Sequence, residues 1–255
     1  MIQRGVLIIL STLLLCGAAT GEQGKTARGS KFFQRVPSAF LPMVQALGNR
    51  VHGDAKHHIV YAGEFVDGFT GARSPAEVSF QVPGLVRLRG FKPGRGVLSF
   101  DGERLIGHSS RADEAMVETF LGDTIEGLVA ALDDGAAVQF VGGGFVPDPR
   151  KTPNHRGPRY DIYEITAPVA SRMDRLLRIK RYYFDSDTGL LLSTRYYDTT
   201  LSPGIKVETR FSSWQSSDGS QYPGRVERYE DGRLVFSFIT AAVSAGPAKD
   251  TQTFR

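Results

Sequence analysis

The sequence predicts a mainly antiparallel β protein in which one sheet face is wet and the other dry. Three observations point there. Residues 176–197, LLRIKRYYFDSDTGLLLSTRYY, read as one long β-hairpin whose arms alternate and whose middle is turn chemistry. Residues 205–240 repeat the theme, with Val207, Thr209 and Phe211 alternating against Lys206, Glu208 and Arg210, and with Asp-Gly turns at 218–219 and 231–232. Short strand patterns before residue 110 follow one another at close spacing between turns, which favours a meander over strand–helix alternation.

In the hairpin, Leu177, Ile179 and Tyr183 share a face on the first arm, and Leu190, Leu192, Thr194 and Tyr196 share one on the second. These are the expected dry faces. Asp185 to Gly189 closes the hairpin: short side chains bond their own backbone, and the glycine is free to take positive φ. Asp185 and Asp187 are therefore read as turn residues, not as an acid–base pair.

Bulk properties limit the rest. The chain has 255 residues and is 41% hydrophobic, enough for one sizeable core. Arg4, an apolar run from Val6 to Leu15 and the small residues Ala18 to Gly21 read as an export signal cut near residue 19 or 21. The run is too short to span a membrane comfortably, and the mature chain is expected to hold no transmembrane span. Cleavage removes one of 31 basic side chains and none of the 27 acidic ones, so the surplus is mild and nucleic acid is not an expected partner. Cys16 is the single cysteine; Leu15 stands where a lipoprotein signal carries a small residue, so lipid anchoring is not expected. The mature chain then has neither a thiol nor a disulfide.

In order, residues 22–37 read as a flexible arm, 38–244 as a single domain and 245–255 as a frayed tail. A short amphipathic helix is expected at 40–47. Strands are expected near 57–64, 76–82, 85–91, 97–100 and 104–106. Two short helices follow within 111–132, separated by Gly122; Ser110 with Asp113, and Asp123 with Glu126, have capping-box spacing. Such helices are too short to stand alone and must lay their apolar faces on the sheet. Val138, Phe140 and Phe145 mark another strand, bent by Gly142-Gly143-Gly144. A proline-rich loop is expected at 147–159, then a strand at 160–165.

Catalytic signals are lacking. His52, His57 and His58 have no metal-ligand spacing, and the alternation of a strand turns the last two apart. His108 lies near Ser109 and Ser110, but no nucleophile elbow accompanies them. The glycine triplet lacks the residues of a phosphate loop. No enzyme activity, metal site or cofactor is read from the chain.

The order of elements resembles the periplasmic lipoprotein-carrier fold, shared by the lipoprotein chaperone, its outer-membrane receptor and related outer-membrane lipoprotein-sorting proteins. The likeness spans residues 38–243. It rests on the export signal and first helix, the Phe100-Asp101-Gly102 turn, the two-part helix, RYYFDSDTGLLLSTRYYD, and VETRFSSWQSSDGSQYPGRVERYEDGRLVFSF. It implies a strongly curved, unclosed β-barrel wrapped around short helices, enclosing an apolar cavity. The expected lining is Phe80, Leu88, Phe91, Phe100, Phe120, Leu128, Tyr183 and Trp214, and charge at Leu128 is expected to reduce acyl-ligand uptake without unfolding the protein. Arg150, Lys151, Arg156 and Arg159 are the candidate contact with anionic groups. The expected function is periplasmic binding or transfer of a lipid or of lipoprotein acyl chains. The alternative is a protein-interaction or envelope-scaffold module with a packed interior and an envelope protein as partner.

Overall fold

The computed structural model describes residues 57–81, 84–91, 96–101, 104–107, 111–133, 135–147, 156–168, 177–198, 204–247, 249–250 and 254. The expected arm, first helix, export signal and His108 lie outside them. The described chain is one antiparallel sheet plus a helical segment, with a small separate hairpin. The strands are β1 (His57–Asp67), β2 (Arg73–Gln81), β3 (Leu85–Arg89), β4 (Leu98–Asp101) and β5 (Leu105–Ile106). After the helices come β6 (Ala137–Pro147), β7 (Arg156–Pro168), β8 (Leu177–Asp185), β9 (Leu191–Asp198) and β10 (Ile205–Ser212). β11 (Gln215–Ser217) and β12 (Ser220–Tyr222) pair only with each other, and β13 (Arg225–Glu230) and β14 (Arg233–Pro247) complete the sheet.

The twelve strands run β5-β4-β3-β2-β1-β14-β13-β10-β9-β8-β7-β6, so β5 and β6 are the two edges and the sheet does not close into a barrel. The chain leaves one edge at β5, passes through the helical segment and re-enters at the opposite edge as β6. Met116, Val117, Phe120, Ile125 and Leu128 of that segment share one buried cluster with Ile59, Val78, Phe80, Val86, Leu88, Phe211, Val226, Phe236 and Phe238 of the sheet. The helices thus fill the concave side, which is why segments too short to persist alone are helical here.

Local chemistry sets the turns. Asp185 accepts the backbone N–H groups of Asp187 and Thr188 at 3.0 and 2.8 Å, and Gly189 has φ 70°. Asp67-Gly-Phe-Thr-Gly71 repeats the pattern: Asp67 accepts from Phe69 and Thr70 at 3.0 and 2.8 Å, and Gly71 has φ 69°. Both hairpins are closed by the same aspartate–x–x–threonine–glycine turn. Asp218-Gly219 and Asp231-Gly232 have positive φ at both residues, the two-residue turn that matches strand twist.

Four expectations are corrected. On β8 the inward residues are Lys180, Tyr182 and Phe184, while Ile179 (51% exposed) and Tyr183 lie on the convex face. A register shift between Tyr183 and Phe184 makes Leu191, not Leu190 or Leu192, the fully buried leucine of β9. The expected loop at 147–159 is shorter, because Arg156 already pairs with Pro147 as β7 begins. The expected frayed tail is anchored at both ends. β14 stays in register with β1 through Pro247, and the fully buried Phe254 packs edge-on against His58 at 5.7 Å. Gln81 accepts from the Lys249 N–H at 2.7 Å. Small residues suffice there, since ladder hydrogen bonds need no apolar side chain.

The helical segment is α1 (Arg111–Glu118), a π-helical turn (Thr119–Asp123) and α2 (Ile125–Asp133). Thr119 and Thr124 donate their hydroxyls to the carbonyls of Ala115 and Phe120 at 2.9 and 3.0 Å, side-chain bonds of the kind that disturb a helix. The break falls at extended Thr124 (ψ 170°) rather than at Gly122. A Cβ on Gly127 would run into the Leu121 carbonyl oxygen. Gly127→Ala is therefore expected to force α2 off the turn and cost about 1–3 kcal/mol in urea unfolding; an unchanged midpoint would contradict this packing.

Candidate functional site

The concave face has three parts. The first is an aromatic centre. Phe120 of the π-helical turn meets Phe91, Phe236 and Phe238 at ring distances of 6.0, 6.4 and 5.8 Å, and Phe91 stacks on Phe238 at 5.8 Å. Phe80, Leu88, Phe91, Phe120 and Leu128 from the expected lining are all buried in this cluster, and half-buried Phe100 and Trp214 pack against it. Tyr183 is not part of it. It lies on the convex face beneath the Arg195 guanidinium, 4.4 Å from the ring centre, and beside Tyr160.

The second part is a buried polar network that fastens the helices to four strands. Asp123, fully buried, pairs with Lys180 of β8 at 2.6 Å and accepts from the Thr209 hydroxyl of β10 at 2.7 Å. Its backbone carbonyl accepts from Thr194 of β9 at 2.9 Å. Lys180 also donates to the Gly122 carbonyl at 3.2 Å, lies 3.5 Å from Glu118 and sits over the Tyr196 ring. The Tyr182 hydroxyl donates to the same Gly122 carbonyl at 3.1 Å. Burial, with the negative charge of Asp123, pushes the Tyr182 phenol far above its ordinary value, so it remains a donor.

Arg228 of β13 completes the network. Its guanidinium donates to Thr119 and Tyr196 at 3.1 and 3.2 Å and to Glu230 at 3.0 Å, and lies 3.6 Å from Asp123. Burial works against its charge, but Tyr196, Asp123 and Glu230 more than offset that, so the cation is held above the ordinary arginine value. Sequence spacing marked Asp123 as a helix cap. The observed cap is the Thr124 hydroxyl, which faces the Gly127 N–H at 3.4 Å, and the Asp123 carboxylate turns to the sheet instead.

The third part is an open end. On the register of β6 with β7, Phe140 faces Tyr163 and Phe145 faces Arg159. A bulge between Phe140 and Gly142 shifts the alternation by one, so both phenylalanines share the concave face. Phe140 is 55% exposed, although its ring lies 5.4 Å from buried Tyr163, which in turn meets buried Phe184 at 5.8 Å. An apolar floor therefore runs from the interior to solvent along β8, β7 and β6. Arg159 is exposed beside it, and Arg156 begins β7; Arg150 and Lys151 lie outside the described residues.

The convex face satisfies itself. Glu208 takes Arg195 and Arg210 at 2.8 and 2.9 Å, and Arg210 stacks on Tyr229. Burial raises the Glu208 carboxyl, but hydrogen bonds and charge from Arg210 and Arg195 outweigh it, holding the carboxyl below its ordinary value of 4.5. This contribution to stability is full above that value and is lost as pH falls through the lower folded-state one. Glu208→Gln is expected to flatten the acid limb of thermal melts below about pH 5, and an unaltered limb would contradict the pairing. Among the described residues no group of three or more His, Cys, Asp and Glu is placed to hold a metal, and no helix is long and apolar enough to cross a membrane.

No family model matches the chain, and no curated protein matches its sequence. Solved structures do share its fold. The LolA superfamily protein NE2245 from Nitrosomonas europaea aligns over 86% of this chain and 98% of its own, with a TM-score of 0.50 and 11% identity. A DUF1329 family protein from Desulfovibrio piger ATCC 29098 aligns over 90% of this chain and 98% of its own, with a TM-score of 0.52 and 14% identity. The open antiparallel sheet folded over short helices is therefore the fold that this chain shares, distantly, with LolA superfamily and DUF1329 proteins.

Proposed function

We propose that this chain is an exported, non-catalytic carrier that shelters the apolar part of a lipid or lipoprotein in the periplasm. The observation that carries the reading is Phe140, 55% exposed on the concave face at the end of a continuous apolar floor. Acyl chains laid on Phe140, Tyr163 and Phe184 leave water, worth roughly 0.8 kcal/mol for each buried CH₂. Arg159, across from Phe145, stands where an anionic head group would lie. Phe80, Leu88, Phe91, Phe100, Phe120 and Leu128 form the deeper wall that longer chains would reach by parting the helices from the sheet. The shared fold supports this reading.

Charge at Leu128 does not test it. That side chain has no exposed surface, and an unpaired charge there would unfold the domain rather than merely block a ligand. Phe140→Lys is the cleaner variant. It is expected to weaken binding of a fluorescent fatty acid about tenfold or more while the protein stays folded, with an unchanged circular dichroism spectrum. Equal binding by a folded Phe140→Lys protein would overturn the assignment of the floor.

A second reading has its own observation. The rings of Phe91, Phe120, Phe236 and Phe238 fill the middle of the concave side, as a packed interaction module requires. In that case no acyl probe binds, and the chain is a scaffold for an envelope protein.

A further inference from the structure

Resting on the carrier reading, we propose that the open end of the floor is a subsite for a zwitterionic phospholipid head group, with Asp161 taking its primary ammonium and Arg159 its phosphodiester. Register sets both side chains on the concave face. Asp161 lies between Gly143 of β6 and inward Phe184 of β8, and Arg159 stands two residues before it on β7. Tyr163, two residues after it, has the Phe140 ring tilted against it at 5.4 Å. A carboxylate, a guanidinium and two aromatic rings therefore meet at one end of an apolar surface.

Elsewhere on this sheet, opposite charges two residues apart on one strand close on each other: Arg210 on Glu208 at 2.9 Å, Arg228 on Glu230 at 3.0 Å and Arg225 on Glu227 at 3.8 Å. Arg159 and Asp161 have the same spacing and the same signs, yet among the described residues neither side chain enters an ion pair or a hydrogen bond. The aspartate is one methylene shorter than those glutamates, and its Oδ1 lies 3.1 Å from where a Cβ on Gly143 would stand. The carboxylate leans toward β6, over a residue with no side chain to cover it, rather than along β7. Its charge reaches the Tyr163 phenol, which burial first and Asp161 second push above its ordinary value.

The ligand follows from the two charges together. A purely anionic head group would satisfy Arg159 but bring a second negative charge against Asp161. A phosphodiester and an ammonium joined by two carbons satisfy both, because same-face neighbours on a strand are only about 6–7 Å apart. The ammonium brings three donors to an acceptor-only carboxylate and lies against the Phe140 and Tyr163 rings, whose faces attract a cation.

The test is isothermal titration of the exported chain, purified without detergent, with dihexanoyl-phosphatidylethanolamine and dihexanoyl-phosphatidylglycerol below their micellar concentrations. The wild type is expected to bind the ethanolamine lipid about tenfold more tightly, against the net positive charge of the chain, which favours the anionic lipid. Asp161→Asn is expected to abolish that preference by weakening the ethanolamine lipid without weakening the glycerol lipid. Arg159→Gln is expected to weaken both alike, and both variants keep the wild-type circular dichroism spectrum. Equal binding of the two lipids by the wild type, a preference that survives Asp161→Asn, or failure of both lipids while a fluorescent fatty acid still binds would overturn the head-group subsite and leave the carrier reading standing. Failure of all three ligands would overturn both.

Discussion

Asp123→Ala is expected to destabilise the protein by about 3 kcal/mol, the low end of what breaking a buried ion pair costs. The carboxylate is fully buried against two cations, with the Lys180 and Arg228 side chains 14% and 2% exposed. Removing it leaves both beside partners that are farther away or less buried: Glu118 at 3.5 Å from Lys180, and Glu230 at 3.0 Å from Arg228. Those partners keep the loss from being larger. For a chain of this size the melting temperature is expected to fall roughly 6–12 °C. Asp123→Asn keeps the acceptor for Thr209 without the charge, and should fall between. Glu164→Ala, which removes the partner of exposed Arg181, is expected to cost less than about 1 kcal/mol. If Asp123→Ala cost no more than that surface control, the network would not be what fastens the helices.

The second large effect is at Phe120. Its ring is fully buried among Phe91, Phe236 and Phe238, and it is the π-helical turn's main apolar contact with the sheet. Phe120→Ala removes the ring and leaves a void lined by other rings, so the expected loss is about 3–5 kcal/mol. Such a void stays dry and accepts a small hydrocarbon. Benzene is therefore expected to raise the melting temperature of the variant and leave the wild type unaffected. A loss below about 1 kcal/mol would show that the centre collapses on itself and that the turn is not wedged there.

The turns and most strands were legible in the sequence because their signals are local. The Asp185–Gly189 and Asp231-Gly232 turns depend on side chains bonding their own backbone and on glycine taking positive φ. The helical segment was legible for the same reason. The face of β8 was not. Tyr182, Tyr183 and Phe184 are consecutive, so alternation offers an aromatic ring to each side, and the inward position at 180 is a lysine. Ile179 and Tyr183 made the outer face look drier. Asp123, brought from 57 residues away, with Glu118 and the Gly122 carbonyl beside it, explains an inward lysine there. Arg228 was hidden likewise in the charged run of β13. Phe140 and Phe145 are an odd number of residues apart, and their shared face depends on a bulge that the glycine triplet hinted at but could not place.

The helices cover the middle of the concave face, and the Asp123 network holds them there. What they leave open at β6 is the basis of the carrier reading. The most direct test is a native mass spectrum of the exported chain, purified from a periplasm without detergent, before and after denaturing extraction. The expected result is added mass that departs as a lipid and names the class of cargo. A bare protein that also refuses a fluorescent fatty acid would contradict the carrier reading and leave the packed scaffold.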